Sequence, residues 1–593
     1  MAEWLGTGLQ NRLLQFESGR DLRANSSDSQ KSLFLYLCNF MKARRLFYIL
    51  LALWVAADML QAAFTPVHAD EAYYALYGRF LDWGYYDHPP MVALLTAFSS
   101  LLFEGALSIR LATVLLHGAT VWLAWKVLDD GPPTVGKVLA FFAVAASLPM
   151  FTIYGFITTP DAPLLFFTAL FFFLYRKYLS NPGWPLAAAI GVTAAAMLYS
   201  KYIAVIIIAL VLLSNVKLLK DRRVWMAMLI TAVLFLPHVM WQINNDFPSL
   251  QYHLISRNSP FRPKYLLEYI PNQLLVFNPV CLCLSAYLCF RNVGTEDKFV
   301  RSCVFSVAGT VLFFWLMTFK GHSEPHWTVA ASIPMIFLMF DWLKDTEKKK
   351  WLRYAFAPVV ALLLVARFLV PHIVAGKTDV FLNKAVFDEI DAFSGSADVV
   401  FTGSFQNPSL YWFHTGKESS SLSSVYGRRT QFDLWQFDKK VQGKPACIVE
   451  NSTYRHHPAE EPNVLSENGK LSFLKVSNFQ SASRIEATIK NHIIKGDTIF
   501  LDISFHNPYS LPFRFDHPEM PVTVLVAYFL ENECRTLFCN IPDNGIVIPP
   551  GGSVDISTFA EFIPDCPLAI SIDNVVCRSL NSRPLKIEKQ IQI

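Results

Sequence analysis

Eleven apolar segments, each close to the length that crosses a bilayer, leave this 593-residue chain few ways to fold. They lie at about 46–64, 107–127, 136–156, 161–180, 183–200, 202–216, 224–242, 267–290, 302–319, 327–343 and 354–374. A helix needs about 20 predominantly apolar residues to span the hydrocarbon core. In lipid every backbone polar group must be satisfied within the segment, so helices are the expected form. Only 17% of the residues are charged and 53% are hydrophobic, against about one quarter charged in soluble chains.

Loop charge sets the orientation, because short loops rich in Lys and Arg stay in the cytoplasm. Lys42, Arg44 and Arg45 precede the first segment, and Arg176 and Lys177 follow the fourth. Lys217, Lys220, Arg222 and Arg223 follow the sixth, Arg291 and Arg301 flank the loop after the eighth, and Lys344, Lys348, Lys349 and Lys350 follow the tenth. All fall on the starting side. The apolar run from Met91 to Phe103 is too short to span, and counting it would invert every later loop. It reads as a re-entrant or interfacial helix. The odd number of spans then places everything after Pro371 outside the cytoplasm.

Residues 1–40 read as a polar tail, and the basic flank at Met41 opens an apolar run without a small-residue cleavage site, hence a retained anchor. Residues 41–375 form the transmembrane domain. From about Gly376 to 486 the composition is that of a soluble α/β domain, with strand-like ADVVFTGS and ACIVENS. From about Ala487 to 593 the chain reads as a β-sandwich-like module. There Ile499, Leu501, Ile503 and Phe505 alternate with Phe500, Asp502, Ser504 and His506, the period of a half-buried strand. Cys534, Cys539, Cys566 and Cys577 in this module would allow one or two disulfides in an oxidising compartment, with connectivity open.

A net charge of +4, spread over loop clusters, gives no nucleic-acid stripe. No CxxC pair with accompanying histidines suggests structural zinc.

Four polar clusters fall on the outer face: residues 68–90 with Asp70, Glu71, Tyr86 and His88; the TTPDAP turn at Asp161; YSKY at Lys201; and residues 320–327 with Lys320 and His326. Ionisable groups at membrane depth are functional candidates by default. Singly, each has a structural reading: Asp70 and Glu71 as solvated loop acids, Asp161 as a helix cap, Lys201 snorkelling, His88 and His326 as turn residues. Together they offer a general base and a cationic site for a leaving phosphate.

The run DEAYYALYGRFLDWGYYDHPPM resembles the first external loop of the integral-membrane GT-C glycosyltransferases of the dolichyl-phosphate-mannose–protein mannosyltransferase class, whose bacterial members include 4-amino-4-deoxy-arabinose lipid A transferases. The resemblance continues in SIRLATVLL, TTPDAPLLFF, YSKYIAV, LPHVMWQINNDFPSLQYHL, YIPNQLLVFNP and EPHWTVAASIPMI, and more weakly in FQNPSLYWFHTGK and GRRTQFDLW. It covers roughly residues 45–440 and leaves out the β module. It implies a polytopic helical GT-C fold of about 11 to 13 spans in a bacterial inner membrane. Asp70 would be the base, Glu71 its support or an orienting group for the donor sugar, and Asp161 a second carboxylate of the cavity. Lys201, with His88, Lys320 or His326, would neutralise the leaving phosphate, and Tyr86 would line the substrate site. The donor would be an undecaprenyl-phosphate sugar, the acceptor a lipid, glycan or protein, and the reaction inverting. No cofactor is firmly implied, and a divalent metal stays open.

A transporter or flippase of a lipid-linked sugar is the alternative, and should show internal repeats and broken helices near the bilayer centre. No internal repeat stands out. A non-catalytic scaffold would have no need of the acidic first loop. The topology predicts that a reporter fused after Ile593 is active only outside the cytoplasm; activity of a cytoplasm-only reporter there would contradict it.

Overall fold

The computed structural model describes residues 26–128, 133–253, 261–344, 350–374, 384–422, 429–451, 464–465, 471–529, 534–540, 545–564, 566–574 and 586–588. Most of the expected tail and Cys577 lie outside them. The first helix, Ser26–Phe64, begins within that tail and runs on through the first apolar segment.

Among the described residues, seven helical stretches are long and apolar enough to cross a membrane: Asn39–Phe64, Leu107–Leu128, Asp161–Ser180, Arg222–Asn244, Lys298–Met317, Pro325–Leu343 and Ala355–Ile373. The other four expected spans are short or broken. Pro263–Phe277 and Pro279–Arg291 meet at 102°, where Asn278 takes φ 59° ahead of Pro279. Residues 136–156 divide into Val135–Ala146 and Pro149–Ile153. Lys201 ends the Trp184–Ser200 helix, and the next, Ala204–Ser214, has only 11 residues. The two breaks meet: Asn278 donates to the Ser147 carbonyl, and Ser147 Oγ lies 3.1 Å from Cys281 Sγ. The Asn278 side chain thereby gives a partner to a carbonyl at the first break. Met91–Ser100 is a ten-residue helix packed on Ala69–Arg79 and Leu107–Leu128, with Leu94, Phe98, Leu101 and Leu102 exposed, as suits a non-spanning helix.

Burial sorts the spans. Leu107–Leu128 is 72% buried and Pro325–Leu343 78% buried, whereas Arg222–Asn244 is 17% and Ala355–Ile373 11% buried, so the first two form the middle of the bundle. The ends of the bundle differ in charge. Lys126, Arg176 and Lys177 line one depression, and a second is mixed, with Arg176, Lys298 and Lys344 beside Glu296, Asp297 and Asp341. Arg223 reaches the Pro182 carbonyl at 2.8 Å, which brings the basic 217–223 turn to the same end. The acidic first loop lies at the other end.

There the α/β domain that follows the bundle docks. Strands β1 (Asp398–Thr402), β2 (Ser419–Leu422), β3 (Ala446–Asn451), β4 (Val464–Leu465) and β5 (Leu471–Val476) form a sheet in the order β2-β1-β3-β5-β4, with β1 parallel to β2 and β3. Its helices share a core with the bundle: Val386, Phe387, Ile390, Leu410 and Tyr411 pack with Val67, Ala69, Ala72 and Ile109. Each fully buried side chain of this kind contributes about 1.5–3 kcal/mol, so the domain is seated and not merely tethered. Beyond it, β6 (Glu486–Lys495), β7 (Thr498–His506) and β8 (Ser553–Glu561) form an antiparallel sheet in the order β8-β7-β6. It shares one core with the sheet that pairs Val522–Phe529 and Leu568–Asn574. Ile499, Leu501, Ile503 and Phe505 face that core while Phe500 is exposed, as the alternation predicts. Cys539 and Cys566 are free thiols.

One polar cluster sits inside the bundle, in the last two turns of the first span. Asp58 accepts from Arg367 Nη2 at 2.6 Å and lies 2.7 Å from His117 Nδ1, and Gln61 bonds Arg367 at both its guanidinium and its carbonyl. Gly155 permits this: a Cβ there would come within 2.0 Å of His117 Nδ1. The lipid-facing last span is thereby tied to the first two. Removing one partner of a buried ion pair leaves an uncompensated charge, costing about 3–5 kcal/mol. Arg367→Leu should lower the unfolding temperature of the detergent-solubilised protein, and adding Asp58→Asn should restore part of it. An unchanged melting curve for Arg367→Leu would contradict the tie.

Candidate active site

The Ala69–Arg79 helix opens with reciprocal caps: His68 Nδ1 accepts the Asp70 N–H at 3.1 Å, and Glu71 Oε2 accepts the His68 N–H at 3.1 Å. Successive helical residues point about 100° apart, and Asp70 and Glu71 part company here. Glu71 is fully buried, with Oε1 accepting from Arg110 Nε at 2.7 Å and the Thr158 N–H at 2.9 Å, and Oε2 accepting from Arg110 Nη2 at 2.5 Å. Arg110 gives its remaining donors to the carbonyls of Ala62 (3.0 Å), Thr65 (2.7 Å) and Pro66 (2.9 Å). Asp70 instead keeps 41% of its side chain exposed, 3.8 Å from His68.

Asp161 begins its helix three residues after Thr158 and is buried with both oxygens on Lys201 Nζ, at 2.8 and 2.7 Å. Lys201 holds this place because the helix ends there in extended backbone. The pair satisfies itself, so Lys201 meets any incoming anion already neutralised.

Tyr74 shows where the acids converge. Its phenol is held well above its usual pKa, first by burial and then by the negative charges of Asp70, Asp87 and Asp161. The half-buried His88 ring stands 5.7 Å from the Tyr74 ring, edge on. These groups therefore share one neighbourhood. Asp87 was missed by the sequence reading although it lies inside the YYDHPP run; so was Arg110, whose signal was an arginine inside an apolar span.

The loop carrying Asp87 and His88 is held from several sides. Tyr77 donates to Asp87 Oδ1 at 2.6 Å and stacks on Tyr85 at 3.9 Å. Trp241 Nε1 donates to Asp82 at 2.7 Å, His238 Nδ1 lies 2.7 Å from the Trp83 carbonyl, and Ser249 Oγ donates to the Tyr85 carbonyl at 2.9 Å. A Cβ on Gly84 would come within 2.4 Å of the Trp241 ring, so glycine is needed for the close fit. Tyr86 lies with Tyr252, ring centroids 5.6 Å apart. Lys320 is exposed and has no acidic partner among the described residues. His326 is half-buried at the head of the Pro325–Ala331 turn, which packs on the Asp161 helix. No contact among the described residues joins Lys320 to Asp70. Nor do any three His, Cys, Asp or Glu among them form a metal-binding group.

Residues 87–241 match the family described as dolichyl-phosphate-mannose-protein mannosyltransferase, a stretch that takes in Asp87, His88, Asp161 and Lys201. The lipid A galacturonosyltransferase RgtD of Rhizobium johnstonii is 25% identical over 331 residues, which make up 53% of this chain and 68% of that protein. The crystal structure of ArnT from Cupriavidus metallidurans bound to undecaprenyl phosphate aligns with a TM-score of 0.56 at 12% identity, covering 72% of this chain and 97% of that one. Its apo state gives 0.53 at 12% identity, covering 76% and 98%. The chain has the GT-C fold and is similar to these enzymes.

Glu71→Gln should act on stability: it leaves the buried Arg110 without its carboxylate, at a cost of about 3–5 kcal/mol. A lower unfolding temperature and a smaller monodisperse fraction are expected. Full stability with loss of activity alone would instead make Glu71 a chemical participant.

Proposed function

We propose that this chain transfers a sugar from a polyprenyl-phosphate carrier to an acceptor hydroxyl or phosphate at the end of the bundle opposite its basic loops. The observation that carries the reading is that the Glu71–Thr158 bond sets Asp70 and the Asp161–Lys201 pair at one end of the bundle, where His88 stands edge on to Tyr74 and Asp87 accepts from Tyr77. The GT-C fold and the likeness to a lipid A galacturonosyltransferase and to a structure holding undecaprenyl phosphate support it. The basic end would face the cytoplasm of a bacterial inner membrane, with the external domains on the other side.

Asp70 is the base, because it combines exposure with a place beside the buried acids. Its carboxylate takes the proton of the acceptor hydroxyl, the acceptor oxygen forms a bond to C1 of the sugar, and the C1–O bond to phosphate breaks. The electron pair leaves on the carrier phosphate, with inversion at C1. Glu71 positions Asp70 through Arg110 and does not itself meet substrate. Lys320 is the leading cation for the departing phosphate, with His326 beside it in sequence; electrostatic stabilisation of the leaving group is usually the largest single term. Lys201 serves chiefly as the hydrogen-bonding partner of Asp161, and removing it would leave a buried carboxyl without its two bonds.

A flippase reading gains one observation, the helices broken at Ser147 and Asn278. Those breaks bond to each other, however, and do not present free backbone to a substrate. A carrier would move the lipid without cleaving it.

Asp70→Asn keeps the size of the side chain and removes its basicity, so transfer from a polyprenyl-phosphate sugar should fall by about 10²-fold or more. Donor binding and yield should persist. Near-normal turnover would remove Asp70 as the base, and lipid translocation without release of polyprenyl phosphate by the unaltered protein would replace the transferase reading.

A further inference from the structure

Gln431 belongs to the external domain, yet it touches both arms of the membrane-side site. It opens the Gln431–Trp435 helix, which Thr430 and Asp433 cap reciprocally, and it is 2% exposed. Its backbone N–H donates to Tyr73 Oη at 2.6 Å, and its side-chain Oε1 accepts the Tyr86 N–H at 2.8 Å. Tyr73 stands three residues after Asp70, on the same side of the helix. Tyr86 immediately precedes Asp87 and His88. One residue, 358 and 345 positions away from its two partners, therefore spans from the helix of the exposed acid to the turn of the other site groups. The surroundings are rigid: Tyr73 stacks on Phe405 at 4.2 Å, and Phe432 is buried beside it.

We propose that Gln431 is a positioning residue, acting through Tyr86 and Tyr73 to hold the Asp87–His88 turn at its working distance from Asp70. The external domain is then a structural part of the reaction centre. This rests on the transferase reading. The loop has other anchors, at Asp82, Tyr85 and Asp87, so loss of Gln431 loosens the turn without unfolding the chain.

The test uses the full-length protein in detergent or nanodiscs and compares Gln431→Ala with Gln431→Glu, which keeps an acceptor for the Tyr86 N–H. A misplacement of about 1 Å can cost about 10²-fold in rate. Gln431→Ala is therefore expected to lower kcat by about ten- to a hundredfold, with the KM for the lipid-linked sugar changing less than about threefold. Hydrogen exchange at Tyr86 should quicken in the same variant, because its amide loses its acceptor. Gln431→Glu should recover most of kcat and the slow exchange. Wild-type kcat in Gln431→Ala, or unchanged exchange at Tyr86, overturns the proposal. So does a Gln431→Glu variant that protects Tyr86 but stays as slow as Gln431→Ala, which would assign the effect to the amide nitrogen meeting substrate. If the unaltered protein transfers no sugar, the transferase reading falls, while the exchange measurement still decides whether Gln431 holds the turn.

Discussion

The buried ion pair between Glu71 and Arg110 is the constraint from which the rest of the site follows. A carboxylate and a guanidinium withdrawn from water are tolerable only when their hydrogen-bonding capacity is met. Here the five N–H donors of Arg110 make five bonds, two to Glu71 and three to carbonyls at the end of the first span. Glu71 in turn accepts from the N–H groups of His68 and Thr158. The first span, the second span, the cap of the Ala69–Arg79 helix and the turn before Asp161 are thus bound at one point. Asp70, next to Glu71, and Asp161, three residues beyond Thr158, have their relative placement set by a pair that need not touch substrate. This division of labour suits a site that must be precise while one wall is lipid.

The second constraint is the docking of the α/β domain that follows the bundle. The shared core of Val67, Ala69, Ala72 and Ile109 with the helices of that domain covers one side of the first-loop helix, and the aromatic cluster of Tyr73, Tyr77, Tyr85, Phe405, Trp412, Phe432 and Phe437 extends the cover toward the turn of Asp87. The opposite side of the same loop is gripped by Trp241, His238 and Ser249 from the Arg222–Asn244 span and the turn after it. A loop joining two spans would ordinarily be among the more mobile parts of a chain. Here packing from above and hydrogen bonds from the side make it part of the scaffold, while Asp70 keeps 41% of its side chain exposed.

Much of this was legible in the sequence because its signals are local. Apolar length gave the bundle, the Lys and Arg loops gave a shared basic end, and alternation gave the strand through Ile499 and Phe505. What the sequence left open depended on partners distant in sequence. Asp70 and Glu71 look alike as neighbours, and only Arg110, 39 residues on, separates a buried structural acid from an exposed one. Lys201 reads as a free cation until Asp161 is found 40 residues away. The segment 267–290 reads as one apolar span, yet Asn278 and Pro279 turn it by 102° because a second break at Ser147 offers hydrogen-bond partners. Hydropathy records how much apolar surface a segment has and is silent on where its axis bends.

The account makes the acidic end of this bundle a place where a lipid-borne sugar phosphate is held and cleaved. The most direct measurement is mass spectrometry of the lipid that remains with the protein after gentle purification from a bacterial membrane. A polyprenyl phosphate or its glycosyl ester in near-stoichiometric amount is the predicted result. Bulk phospholipid alone, with added undecaprenyl phosphate neither retained nor raising the unfolding temperature, would contradict the account.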